Sequence, residues 1–141
     1  MSVRLEHANL CVRDIDQEIL FLRTAFPEFA IRADRVDADG SRWVHIGTAD
    51  TYIALTNADR APGVAWKPYS GLPGVNHLGY EVSDVDALRS RMLAAGYEES
   101  TVPNVHPARK RVYFLDPHGN DWEFVQYFSD DPNVRNDYDH G

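Results

Sequence analysis

An internal repeat constrains this chain more than any other feature of its sequence. Residues 7–16 read HANLCVRDID and residues 77–86 read HLGYEVSDVD, an offset of 70 residues. In that register His7 answers to His77, Val12 to Val82, Asp14 to Asp84, Ile15 to Val85 and Asp16 to Asp86. A duplicated strand, helix start and histidine predicts two equivalent half-domains, each directing one imidazole at a shared centre. A metal site between the halves is the reading that follows.

The rest of the pattern repeats in the same order. Residues 3–12 alternate as a strand whose odd members, Leu5, His7, Asn9 and Cys11, share one inward face. Asp14 stands as an N-cap with Gln17 three positions on, the spacing of a capping box. Ile15, Ile19, Leu22 and Phe26 then fall at helical spacing and Pro27 ends the run. Strand-like pieces follow at 29–32, 42–46 and 52–56. Residues 57–73 are turn-rich and match nothing in the repeat, which marks a linker. A strand over 75–82 opens the second half. Asp84 caps a helix burying Val85, Leu88, Met92 and Ala95, with Gly96 as its stop. Strands at about 97–102, 110–115 and 121–128 complete it, the last two joined by a turn at 116–120.

The expected fold is therefore α+β. Two tandem βαβββ modules, 1–56 and 74–128, form a curved eight-stranded sheet around a central cavity. An acidic tail, 129–141, follows as an arm or frayed end.

Composition excludes several classes. The 141 residues suit one compact domain or two small modules with a common core. Fourteen basic against 22 acidic side chains give a net charge of −8, unsuited to nucleic acid. The one basic run, Arg109-Lys110-Arg111, reads as a solvated strand start or as a clamp for an anionic substrate. Cys11 is the single cysteine, so no intramolecular disulfide forms, which fits a reducing compartment. No secretory leader opens the chain and no run approaches the ~18 apolar residues of a membrane span. A cytoplasmic protein without membrane or nucleic-acid partners is the expectation.

Three residues stand out as metal-ligand candidates. His7 and His77 occupy equivalent strand positions. Glu123 lies between Trp122 and Phe124 in the last strand, where an unpaired charge is costly to bury. Two neutral imidazoles and a carboxylate form an open coordination set, used by non-haem Fe(II) and by catalytic zinc. A strand histidine is by itself an ordinary core or surface residue; two in repeat register, with a carboxylate, argue otherwise. His45 and Asn9 are lesser candidates for the cavity wall, and Cys11 reads as a small buried apolar residue without a cationic neighbour to activate it.

At this point the chain resembles a known family. The paired modules, the start of each, and the segment YFLDPHGNDWEF at 113–124 are similar to the vicinal oxygen chelate superfamily. That group includes glyoxalases, fosfomycin-resistance proteins, bleomycin-binding proteins and type I extradiol dioxygenases. The resemblance covers about residues 3–128. It implies metal ligands on the first and last strand of each module, at His7, His77, Ala54 and Glu123. Ala54 departs from the glyoxalase I pattern, which has a glutamate there; a methyl group is neither ligand nor base. The resemblance also likens Tyr113 to the second-sphere tyrosine of extradiol dioxygenases, and His106 to their nearby acid–base histidine. A core tyrosine with a satisfied hydroxyl is the plain alternative for Tyr113.

These readings converge on a metal-dependent enzyme acting on a small substrate with adjacent oxygens. His7, His77 and Glu123 are its expected ligands, and Tyr113 and His106 its catalytic candidates. The cofactor is one divalent ion, Fe2+ or Mn2+ in preference to Zn2+ or Ni2+. An extradiol-like dioxygenase is favoured over a glyoxalase-like lyase or isomerase. The rival class is a non-catalytic drug- or metabolite-binding protein, whose cavity Trp43, Tyr52 and Trp122 would line. Relatives often form homodimers, and a homodimer is expected here.

Overall fold

The computed structural model describes residues 3–57 and 67–139. Contacts divide the chain into two units, Met1–Ala65 and Trp66–Gly141. Each unit carries one βαβββ module. Most of the expected linker, at 58–66, lies outside the described residues, as does His140 in the tail.

In the first module β1 (His7–Val12), α1 (Ile15–Ala25), β2 (Ala30–Val36), β3 (Arg42–Gly47) and β4 (Tyr52–Asn57) form a four-stranded sheet in the order β1-β4-β3-β2. β1 and β4 are parallel; the remaining pairs are antiparallel. The helix covers one face of such a sheet, so alternate residues point to it. Val44, Ile46, Ile53 and Leu55 on the strands meet Ile15, Phe21 and Leu22 on α1 in a fully buried core. The expected helix stripe is rotated: Glu18 and Phe21 are buried and Ile19 is only half-buried. A charged residue inside the apolar stripe is what the periodicity alone conceals. Asp14 caps the helix, accepting from Gln17 N at 3.0 Å.

β5 (His77–Glu81), α2 (Val85–Ala94), β6 (Glu98–Glu99), β7 (Arg109–Leu115) and β8 (Asp121–Tyr127) repeat the plan, in the order β5-β8-β7-β6 with β5 and β8 parallel. Phe114, Trp122 and Phe124 pack with Val85, Leu88 and Met92. Ala95, expected in that core, is an exposed C-cap. Gly96 turns the chain at φ +87°, and Tyr97 N reaches back to Met92 O at 3.1 Å. Trp122 is therefore core and not cavity wall, the expectation that its ring lines the cavity being corrected by the sheet's parity.

Several boundaries differ from expectation for identifiable reasons. β1 starts at His7 because β4 starts at Tyr52, its partner in register. β6 is two residues long because Thr101 Oγ1 accepts the Tyr113 N–H at 2.9 Å, substituting a side chain for the next rung. Within the described part of the tail, α3 (Pro132–Arg135) is capped by Asp131, and Arg135 makes a two-pronged pair with Glu81 at 2.9 and 3.0 Å. Its guanidinium also lies 4.1 Å from the Tyr127 ring centre. Among the described residues no helix is long and apolar enough to cross a membrane.

Arg89 on α2 grips Glu99 on β6 with two bonds of 2.8 Å, holding helix to edge strand. That pairing, followed by the Thr101 hydroxyl, holds the Glu99 carboxyl below its ordinary 4.5. A depressed carboxylate stabilises the fold above its unfolded value, and the stability is lost as pH falls through the folded one. Glu99→Gln is accordingly less stable than wild type at neutral pH, and the gap closes below pH 4.5 in urea titrations at a series of pH values. A gap independent of pH contradicts the pairing.

Candidate functional site

The parallel register of β5 and β8 builds the site. His77 lies opposite Asp121 and Gly79 opposite Glu123. Odd positions on both strands face away from α2, so His77, Asp121 and Glu123 share the open side of the sheet. His77 Nε2 and Glu123 Oε2 face each other at 3.0 Å, with side chains 34% and 15% exposed. Gly79 leaves the carboxylate uncovered: a Cβ there would stand 3.7 Å from Glu123 Oε2, and a longer side chain would lie over it.

Beside His77 is a cavity of about 350 Å³, lined also by Tyr69, Arg111, Tyr113 and Asp121. Tyr113, opposite Glu123 in the β7–β8 register, sets its ring edge-on to His77 with centres 5.6 Å apart. Burial first, and then the charge of Glu123, pushes its phenol up to about 12. Arg111 Nη1 stands 3.8 Å from Glu123 Oε1 and also lines the cavity. Its neighbours in the basic run are committed elsewhere. Lys110 binds Asp86 at 2.6 Å, and Arg109 donates to Arg135 O at 3.2 Å.

On the other side of His77, Tyr69 OH lies 3.1 Å from Nδ1 and donates to Asp121 Oδ2 at 2.8 Å. Ser100 Oγ donates to Asp121 Oδ1 at 2.6 Å. Burial and the bond to Asp121 push the Tyr69 phenol well above the usual tyrosine range. The turn before β8 holds the strand's entry. Asp116 accepts from His118 N, Asn120 N, Asn120 Nδ2 and Trp122 Nε1, at 2.8 to 3.1 Å. Gly119, at φ +84°, makes the reversal.

The first module presents a different surface at equivalent positions. His7 stands opposite Tyr52, with rings stacked at 4.8 Å, and its Nδ1 meets Glu6 Oε2 at 2.6 Å. His45 stacks on the other side of Tyr52 at 4.5 Å, and Trp43 lies 5.0 Å from His45. Ala54 occupies the place that Glu123 holds in the second module, opposite Asn9. Asn9, Trp43, His45 and Ala54 line a cavity of about 240 Å³. Cys11, expected to be buried, is exposed.

The structure thus brings His77, Glu123 and Tyr113 together and leaves His106 elsewhere. His106 is 8% exposed, its Nδ1 accepting from Ala108 N at 3.0 Å and its Nε2 bonded to Asp137 O at 2.9 Å. It ties the C-terminal segment to the module and does not line the cavity. Tyr69, Ser100 and Asp121 were not anticipated. Asp121 had a readable signal, being two residues from Glu123 and hence on its face; Tyr69 had none.

The donor set fits a divalent cation. Two ligand atoms at right angles on an octahedral ion, each bonded at about 2.1 Å, stand about 3 Å apart, which is the separation of His77 Nε2 and Glu123 Oε2. A carboxylate and an imidazole lone pair are both acceptors, so this contact requires a proton or a cation between them. Among the described residues no three His, Cys, Asp or Glu side chains are gathered into one cluster.

The sequence matches the family described as the Glyoxalase/Bleomycin resistance protein/Dioxygenase superfamily over residues 4–124. No curated protein matches it. Among solved structures it is similar to a variant of the fosfomycin resistance protein FosX from Listeria monocytogenes, complexed with Mn(II) and 1S,2S-dihydroxypropylphosphonic acid. The TM-score is 0.71 at 20% identity, over 97% of this chain and 100% of that one. FosX from Mesorhizobium loti gives 0.65 at 20% identity, over 88% and 91%. A glyoxalase family protein from Enterococcus faecalis gives 0.70 at 15% identity, over 86% and 96%. At these identities the likeness is one of fold.

The surroundings of Tyr113 have a direct optical consequence. Subtracting the alkaline absorbance titration of Tyr113→Phe from that of wild type isolates one phenol with a midpoint of about 12. A midpoint at the ordinary 10.0 contradicts its placement against Glu123.

Proposed function

Because the chain belongs to the glyoxalase, bleomycin resistance protein and dioxygenase superfamily, we propose that it is a metal-dependent enzyme of the vicinal oxygen chelate type. Its substrate is a small molecule with two adjacent oxygens. The observation that carries this reading is the facing pair of His77 Nε2 and Glu123 Oε2 at 3.0 Å. These two and His7 are the proposed protein ligands of one divalent ion, His7 coming from the same chain or from a second copy in a homodimer. Fe2+ and Mn2+ head the candidates, Mn2+ with added support from the FosX complex with Mn(II); Zn2+ and Ni2+ suit the same donors.

When bound, the ion supplies Lewis-acid polarisation of the substrate's paired oxygens. The chain's own groups do the rest. Tyr113 keeps its proton far above neutral pH and donates it as a hydrogen bond to an oxygen gaining charge. Arg111 adds a positive charge beside Glu123, favouring an anionic substrate oxygen at the rim. Val102 and Pro103 add apolar surface at the exposed rim of the cavity.

An extradiol-like dioxygenase is the finer proposal, supported by Tyr113 and by the absence of a carboxylate base at Ala54. The acid–base role expected of His106 is withdrawn from it, because that ring is engaged with Ala108 and Asp137. The same observation supports a second reading, a lyase or isomerase, which shares the ligand set and has no need of a histidine at 106.

Metal content by mass spectrometry, on protein purified without chelators and beside Glu123→Ala, tests the proposal. About one ion per chain in wild type and a loss on the order of tenfold or more in the variant is the expected result. Iron together with oxygen uptake on a catechol supports the dioxygenase. Zinc or nickel without uptake supports the lyase or isomerase. No metal in either sample after reconstitution overturns the enzyme reading and leaves a binding protein whose ligand affinity is indifferent to chelators.

A further inference from the structure

Tyr69 holds its hydroxyl between His77 Nδ1 and Asp121 Oδ2, at 3.1 and 2.8 Å. Among the described residues it is the one non-glycine residue with positive φ, at 61°. A bulky side chain in that region carries a backbone cost which glycine or asparagine avoids, so neighbouring contacts must hold it there. Asn76 Oδ1 does so by accepting the Tyr69 N–H at 2.9 Å. What tyrosine supplies that glycine or asparagine cannot is a phenolic oxygen at this distance from the strand. The far end of the chain of bonds is rigid. Asp121 is 5% exposed, is paired in register with His77, and has its second oxygen filled by Ser100 Oγ at 2.6 Å.

We infer that Tyr69 and Asp121 are positioning residues for His77, fixing which ring nitrogen carries the hydrogen and which way the other points. The inference rests on the proposal that His77 is a metal ligand. A phenol has one proton to donate. The Asp121 carboxylate, already accepting from Ser100, takes it. The Tyr69 oxygen then faces His77 Nδ1 as an acceptor, so Nδ1 bears the hydrogen, and Nε2 is the nitrogen left to a cation that takes the place of the proton between it and Glu123. A neutral imidazole held in that tautomer is the form that binds a cation, and a partner on the second nitrogen raises ligand strength by restricting the ring. His7 obtains the same arrangement by a shorter route, Nδ1 to Glu6 Oε2 at 2.6 Å.

Tyr69→Phe removes the phenolic oxygen and leaves the strained backbone and the ring in place. Two readouts are compared with wild type in the full chain: the nitrogen-15 shift of His77 Nδ1, and calorimetric titration with Mn(II) alone. The expected result is a His77 Nδ1 that loses its fixed hydrogen, with Mn(II) affinity about tenfold weaker and an unchanged melting temperature. Tyr69→Gly, which relieves the backbone, lowers affinity equally while preserving or raising the melting temperature; a purely structural role would move the two together. Unchanged ring shifts in Tyr69→Phe overturn the inference, and if wild type still binds Mn(II) the metal proposal survives it. If wild type binds no Mn(II) but the ring shifts change in Tyr69→Phe, the positioning role stands and the metal proposal falls.

Discussion

The parallel pairing of the first and last strand of each module is the constraint from which the rest follows. Parallel neighbours cannot be joined by a tight turn, so the helix and the two middle strands must intervene. With the helix on one face, each strand must alternate, and every residue of one parity on β1, β4, β5 and β8 is committed to the open side. The register then decides the chemistry. His77 beside Asp121, and Gly79 beside Glu123, place an imidazole and two carboxylates within one turn of pleat. Shifting β8 by one residue would bury both carboxylates against Leu88 and Met92 and expose Trp122 and Phe124.

The two modules share this frame but present different surfaces on it. Ala54 stands where the other module has Glu123, and Tyr52 where it has Asp121. In antiparallel register with these, His45 stands where the other has Tyr113. One sheet carries a ladder of stacked rings from His7 through Tyr52 to His45, with the Arg32 guanidinium 4.3 Å over Tyr52. The other carries an acidic and hydroxylic network centred on Asp121 and Glu123. The two modules keep one scaffold, and the differences at these three positions on the open face separate an acidic and hydroxylic surface from an aromatic one.

Local signals made much of this legible in the sequence. Asp14 and Asp84 act through bonds to the third residue beyond, Gly96 and Gly119 through their own backbone angles, and the strands of the repeat through alternation. The placement of His77 and Glu123 on one face of the second sheet follows from their shared odd parity on two adjacent strands. What was not legible depends on partners distant in sequence. The length of β6 turns on the Thr101 hydroxyl meeting the Tyr113 N–H; His106 is claimed by Asp137, 31 positions on. The tail reads as polar and loose until Arg135 is seen to grip Glu81 and lie on Tyr127. Asp121 shares the face of Glu123 by parity, but its burial depends on His77, Tyr69 and Ser100, which the sequence does not show around it. Tyr69 sits in a segment rich in glycine and proline whose sequence says turn and nothing more.

The central claim is that the facing nitrogen and oxygen of His77 and Glu123 are two sides of a cation site. Anomalous diffraction from crystals soaked in Mn(II) tests it most directly. The account predicts one strong peak bonded to His77 Nε2 and a Glu123 carboxylate oxygen at about 2.1 to 2.2 Å. Crystals that show no peak at that position, with the two side chains still joined directly, would contradict it.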